Sequence, residues 1–314
     1  MERFDANVRR WTDALGNAER TILRNIGVGV FLGFRQLRVE PDFLDACLKF
    51  WDPLLNVFRF PSGEVCPLVE EFSAIGGWSH RAVQVALRTE LSYRAQVQNF
   101  LELSGTQVDD LFEGQRINML RLSERFSNLS DTSISAEARR KALSFCLIHR
   151  YAFCDLMDER AFGLPRLVGV VEQMMVGRNP TSLILGETLV GLTDRLTSSV
   201  HEYRGSPRIL QIWLMERLSV LAPVPFGVAF APGGVTTRAR SWAGPSDRRL
   251  GYFDGFVRER PIRWVVPWWG LTTMTASTLY GSSRGYTVCS FEMAIRIHPW
   301  RVLRQFGRVQ KIPP

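Results

Sequence analysis

The sequence predicts a mostly α protein, a single multi-helix globular domain over residues 1–314, with one small β-hairpin near residues 57–66 and a long irregular loop near 223–251. Three observations predict it. Hydrophobic residues make up 46% of the chain, enough to fill a core. Apolar residues recur three or four apart through most of its length, the spacing of a buried helix face. In the first two-thirds only one segment, Val57-Phe58-Arg59-Phe60, alternates with the period of a strand.

In chain order, Phe4, Val8, Trp11 and Leu15 mark an opening amphipathic helix. Gly27-Val-Gly29-Val-Phe-Leu32-Gly33 has the look of a dinucleotide loop but puts Leu32 where the third glycine belongs, so it reads as a tight apolar connection or a poorly periodic helix. Asp42 is a candidate cap for a helix over Phe43 to Trp51, which Asp52-Pro53 stops. Pro61-Ser62-Gly63 turns the hairpin, and Glu64-Val65-Cys66 returns it. Pro67 suits the first position of the next helix, with Glu70 and Glu71 in its early turns and Gly76-Gly77 after its end.

Residues 79–127 read as several shorter helices, and residues 135–222 as the central ones. Ser135 caps a helix reaching about residue 160, with Ala142, Cys146, His149, Phe153 and Leu156 on one stripe. Further helices carry Leu164, Leu167, Val168, Val171 and Met175, and then Leu185, Leu189, Leu192, Leu196 and Val200. Ser206-Pro207 opens a helix from Arg208 to Leu221 that is apolar on almost every face, the pattern of a central buried element. Residues 223–251 lose all periodicity and hold Arg238, Arg240, Arg248 and Arg249, which predicts an exposed basic loop. A short helix near Pro299 to Phe306 closes the ordered pattern, begun by Pro299 and stopped by Gly307.

The net charge of +8 favours acidic partners: nucleic acid, acidic protein surfaces or anionic lipid. Lysine occurs only at Lys49, Lys141 and Lys311, so arginine supplies nearly all of the basic charge, as a planar fork suited to carboxylate and phosphate. Cys47, Cys66, Cys146, Cys154 and Cys289 are odd in number and widely spaced, which predicts reduced thiols in a reducing compartment. No apolar core follows Met1-Glu2-Arg3-Phe4-Asp5, and no run is long enough to span a membrane.

No nucleophile elbow or P-loop is present, and no acid pair carries a catalytic signature, so no enzymatic activity is expected and no cofactor is assigned. Cys146, His149 and Cys154 lack a fourth zinc ligand, and His149 reads as a core histidine. Trp264, Trp268 and Trp269 read as core rather than as a base-stacking platform. In the last helix Val302 and Phe306 face inward, while Arg301, Arg304 and Gln305 form an outward face able to hold a phosphate or an acidic partner.

Three stretches resemble the plant mobile domain family. Gly33-Phe-Arg-Gln-Leu37, Asp42-Phe-Leu44-Asp-Ala46, Phe50-Trp51-Asp52-Pro53, Phe58-Arg-Phe60-Pro61-Ser-Gly63-Glu64, Val69-Glu-Glu71 and Ile75-Gly76 are similar to its opening, within a motif region over 26–78. Ser206-Pro207 followed by Leu210-Gln211-Ile-Trp213-Leu-Met-Glu216-Arg217 is similar to its central helix. Ile297-His298-Pro299-Trp-Arg301-Val302-Leu303-Arg304-Gln305-Phe306-Gly307, then Gln310 and Ile312-Pro313, resembles its ending, within 262–314. The order matches and the stretches bracket almost the whole chain.

The resemblance implies a helical domain found in transposable elements and in MAIN-like nuclear proteins that support meristem maintenance, transposon silencing and genome integrity beside a phosphatase-like partner. The aminotransferase-like label sometimes given to the family finds no lysine here in a cofactor-binding context. The expectation is a non-catalytic nuclear interaction module of transposon origin, acting through protein partners and without membrane association; the alternative is a nucleic-acid-binding protein using the Arg-rich loop and the last helix.

Overall fold

The computed structural model describes residues 1–87, 92–153, 161–198, 203–225, 228–242, 250–268 and 285–307. The first helices are α1 (Glu2–Asp13), α2 (Asn17–Ile26), α3 (Phe31–Phe34) and α4 (Pro41–Leu48), followed by the strands β1 (Trp51–Asp52), β2 (Val57–Phe60) and β3 (Gly63–Val65). Next come α5 (Val69–Gly76), α6 (Tyr93–Leu101), α7 (Gly105–Leu111), β4 (Phe112–Glu113), β5 (Arg116–Asn118), α8 (Met119–Ser127), α9 (Ala136–Ile148), β6 (Phe162–Gly163), α10 (Leu167–Met175), α11 (Thr181–Thr197) and α12 (Pro207–Arg217). The series ends with α13 (Pro232–Ser241), α14 (Leu250–Glu259), β7 (Tyr286–Cys289), β8 (Ala294–Ile297) and a 3-10 helix, Pro299–Phe306. The protein is therefore mostly helical, as its periodicity predicts, with small antiparallel sheets.

The chain forms two compact units, each drawn from two separate stretches: residues 1–35 with 82–180, and residues 36–81 with 181–314. In the first, α9 is the central element, packed against α1, α3, α6, α8 and α10. Ser135 caps it as expected, accepting from the Ala138 amide at 3.0 Å. Ser135→Ala is predicted to destabilise this unit by about 1 kcal/mol, measured by urea denaturation. The helix is shorter than its apolar stripe suggests. It gives way to a π-helical turn, His149–Phe153, and Leu156 lies outside the described residues. Strands β4, β5 and β6 form a sheet absent from the sequence reading, because two- and three-residue strands are too short to display a period.

In the second unit the expected hairpin is present and gains β1 as a third strand, with Phe58 opposite both Trp51 and Val65. Gly63 takes a left-handed φ of 141° at the turn. Helix α5 lies against α11, α12 and α13, and α4 lies against α14. Glu40 rather than Asp42 occupies the α4 cap, because Pro41 takes the first helical position. Pro67 sits two residues ahead of α5, whereas the Gly77 cap is left-handed as expected.

The irregular loop expected near 223–251 is corrected: it contains α13. Pro232 starts that helix, and Val235, Thr236 and Ala239 bury one face of it. The two glycines of its first turn hide the pattern from a periodicity reading. The β7–β8 hairpin is likewise new, with Thr287 opposite Arg296 and Val288 opposite Ile295. Gly186 of α11 lets β7 approach closely, since a Cβ there would lie 2.3 Å from the Cys289 carbonyl oxygen. Among the described residues Cys47, Cys66 and Cys146 are buried free thiols, each pushed up in pKa by burial, and no helix is long and apolar enough to cross a membrane.

Candidate functional site

Helix α12 is buried on every face, so any charge it carries must be answered inside the protein. It carries three, Arg208, Glu216 and Arg217, and around the last two the second unit builds its polar centre. Helix α5 supplies the counter-charge. Glu71 is fully buried, and its carboxylate accepts four hydrogen bonds. Oε1 receives Arg217 Nη2 and Trp268 Nε1, the latter at 3.1 Å. Oε2 receives Trp213 Nε1 at 2.8 Å and Gln305 Nε2 at 3.0 Å.

Two of these donors, Arg217 and Gln305, are also fixed elsewhere. Arg217 Nη1 donates to the carbonyls of Arg263 and Trp264, both at 3.0 Å. Gln305 clamps Cys66, accepting from its amide at 2.7 Å and donating to its carbonyl at 2.8 Å. Glu216 faces the other way and accepts from Arg238 at 2.6 Å and Arg263 at 2.9 Å. Burial pushes its carboxyl up, while the two guanidiniums act against that rise.

A third carboxylate, Glu64 on β3, receives Arg301 in a two-bond fork at 3.1 and 3.0 Å and Arg59 at 3.0 Å. Asp45 on α4 is held in the same way by Arg195, both bonds at 2.8 Å, with the Tyr203 hydroxyl also donating to it. This arrangement holds four distant chain segments together. It offers Glu71 no free lone pair with which to take a proton from a substrate, because its four acceptor positions are filled. Among the described residues no group of three metal-ligating side chains is found.

These contacts change the reading of the arginines expected to meet a partner. Arg238 is joined to Glu216 and Arg301 to Glu64. Gln305 is completely buried rather than outward-facing, because the 3-10 winding of the last helix turns it toward Cys66 and Glu71. Arg240 stays exposed and reaches Gln36, and Arg304 stays exposed above the Trp264 ring, 5.5 Å from its centroid. Arg248 and Arg249 lie outside the described residues, as does Trp269.

The residues of the three family-like stretches take the following places. Trp51 is buried, donates to Thr193 at 3.3 Å and packs on Phe58, with Pro53 in the turn after it. Phe60 stacks on Phe58, whose ring also meets Trp213, while Pro61 is exposed in the hairpin turn and Gly63 lies against Trp264. Pro299 and Phe306 are buried, and Gly307 ends the helix in the left-handed conformation. Trp268 is core, as expected.

Ser206 caps α12, and Gly205 before it has a φ of 72° with a Cβ position only 2.4 Å from the Thr188 amide nitrogen. Gly205→Ala is therefore predicted to destabilise the unit by about 2–3 kcal/mol, read from its urea midpoint, through left-handed strain and overpacking together. Glu71 lies in the Val69-Glu-Glu71 stretch but is expected from the sequence only as an early-turn acid of its helix. Its sequence signal is a carboxylate in a helix that also carries the apolar Val69, Phe72, Ala74 and Ile75, beside Glu70 and Ser73.

His149, in the first unit, is buried as expected but has no hydrogen-bond partner on either ring nitrogen. Burial, then the neighbouring Arg150, lower its pKa to about 3 against an opposing effect of Asp5. Open grooves on that unit, of about 410 and 630 Å³, are lined in part by Arg3, with Arg10 and Glu124 in the smaller one and Phe4 and Asn118 in the larger. Comparison with protein-family models, with curated proteins and with solved structures gives no match.

Proposed function

We propose that the chain is a non-catalytic interaction module of transposon origin that acts through a protein partner in the nucleus, in transposon silencing and genome maintenance or within a transposable element. One observation carries the reading. The three stretches that resemble the plant mobile domain are far apart in sequence, yet from Gln36 onward they meet in one unit and saturate each other's polar groups. Residue types held for such internal bonding support a framework that displays a surface, rather than a cleft that turns over a substrate. The resemblance names the partner class, a phosphatase-like nuclear protein.

Affinity purification of the tagged chain from nuclei tests it. Recovery of a phosphatase-like or chromatin protein is the expected result, and its absence from repeated purifications overturns the reading. The nucleic-acid alternative, as first drawn on the Arg-rich segment and the last helix, is weakened because Arg238, Arg301 and Gln305 have internal partners; Arg240 and Arg304 remain exposed.

A further inference from the structure

The basic excess is not spread evenly. Residues 228–314 contain thirteen arginine and lysine residues against four acids, so this last stretch accounts for the whole positive balance of the protein. Some of that charge is neutralised internally, at Glu216 and Glu64. Arg258, Arg260 and Arg304 are not: among the described residues none has a carboxylate within ion-pair distance. Each instead lies over an aromatic ring: Arg258 over Phe50 at 5.9 Å, Arg260 over Phe256 at 4.2 Å and Arg304 over Trp264 at 5.5 Å. A guanidinium resting over a ring can still offer N–H groups to a partner and has less rotamer freedom to lose on binding.

These three surround one feature, the Pro61–Gly63 turn. Phe50 packs on Phe60 at 5.1 Å, Ser62 donates to the Arg260 carbonyl at 3.2 Å, and Trp264 lies against Gly63. Helix α14 adds a second element. Phe253 and Val257 are its buried positions. One residue round, Tyr252, Phe256 and Arg260 follow at intervals of four and form a ladder. Tyr252 stacks on Phe256 at 5.8 Å and 28°, Arg260 caps Phe256, and Tyr252 is 41% exposed. Of the acids of the helix, Asp254 is closed by Lys49 at 2.5 Å, and Glu259 is exposed with no ion pair among the described residues.

We infer that the Tyr252–Phe256–Arg260 ladder, with Arg304, is a binding surface for single-stranded nucleic acid. An exposed aromatic face beside unpaired guanidiniums matches a strand whose bases stack and whose phosphates recur at every nucleotide. An acidic protein surface would use the charge and leave the ladder idle. The surface is independent of the protein-partner reading and uses neither Arg238 nor Arg301.

Fluorescence anisotropy of the full chain with a labelled oligothymidylate of about twenty nucleotides tests it. Saturable binding at low salt is expected, with a slope of log affinity on log salt of about −1.4, corresponding to two phosphate contacts on a single strand. Tyr252→Phe binds like the parent, and Tyr252→Ala weakens binding about 5- to 100-fold with an unchanged circular dichroism spectrum. Arg260→Gln and Arg304→Gln each flatten the salt slope by about 0.7, and Arg258→Gln, on the other flank of α14, leaves it unchanged. No binding at low salt, Tyr252→Ala binding like the parent, equal affinity for a duplex, or equal displacement by polyglutamate would each overturn the assignment.

Discussion

Glu71→Ala is expected to destabilise the second unit by about 3–5 kcal/mol, the scale observed when one partner of a buried ion pair is removed. The substitution leaves the fully buried Arg217 guanidinium without its counter-charge and deprives Trp213, Trp268 and Gln305 of their acceptor. A domain's whole stability is of order 5–15 kcal/mol, so the variant unit would be marginal. Arg217→Met should cost about as much, because it strands the carboxylate instead. The double variant should cost clearly less than the sum of the two, since neither charge is then left alone. Urea denaturation followed by tryptophan fluorescence reads this directly, with Trp213 and Trp268 inside the network. A loss below about 1 kcal/mol for Glu71→Ala, or strict additivity in the double variant, would contradict the centre as described.

Acid should weaken the first unit through His149. Above about pH 6.5 the imidazole is neutral in both the folded and the unfolded chain, and it contributes no pH dependence. Between 6.5 and about 3 the unfolded chain binds a proton that the folded protein refuses, so stability falls as pH falls, by about 1.4 kcal/mol per unit. At pH 4 the loss from this one side chain is about 3 kcal/mol. The physical cause is burial beside Phe4 with no hydrogen-bond acceptor for a second ring proton, next to an Arg150 whose charge is matched by Asp5 at 2.6 Å. His149→Phe should remove this component while leaving the acid response of the carboxylates, so the two stability–pH curves should diverge below pH 6. Parallel curves, or an imidazole titrating near 6 by NMR in the folded protein, would refute it.

Local structure was legible where one residue decides it. Ser135 and Ser206 cap their helices, Gly77 and Gly307 end theirs, and Pro61-Ser62-Gly63 turns the hairpin, each for reasons confined to a few neighbouring atoms. The all-apolar text of α12 correctly placed it at the centre. Short strands such as β5 and β7 stayed hidden because a run of three or four residues carries almost no periodic signal. Arg238 and Arg301 failed as surface markers for a different reason. A guanidinium's chemistry is written at its own position, but its carboxylate is set by the fold: Arg301 finds Glu64 across 237 residues of chain, and Arg238 finds a glutamate on a buried helix. Gln305 was misread because a 3-10 winding shifts which side chains share a face relative to the 3.6-residue period.

The interleaving of the two units has a consequence during synthesis. Residues 36–81 leave the ribosome early, but Glu71 cannot complete its set of bonds until Gln305, 234 positions later, has emerged. At elongation rates of about 5–20 residues per second, that leaves a carboxylate and its apolar helix waiting roughly 10–50 s. Over that interval the unit enclosed by residue 180 can close first, while the nascent α5 segment stays exposed to chaperones and to pairing with neighbouring chains.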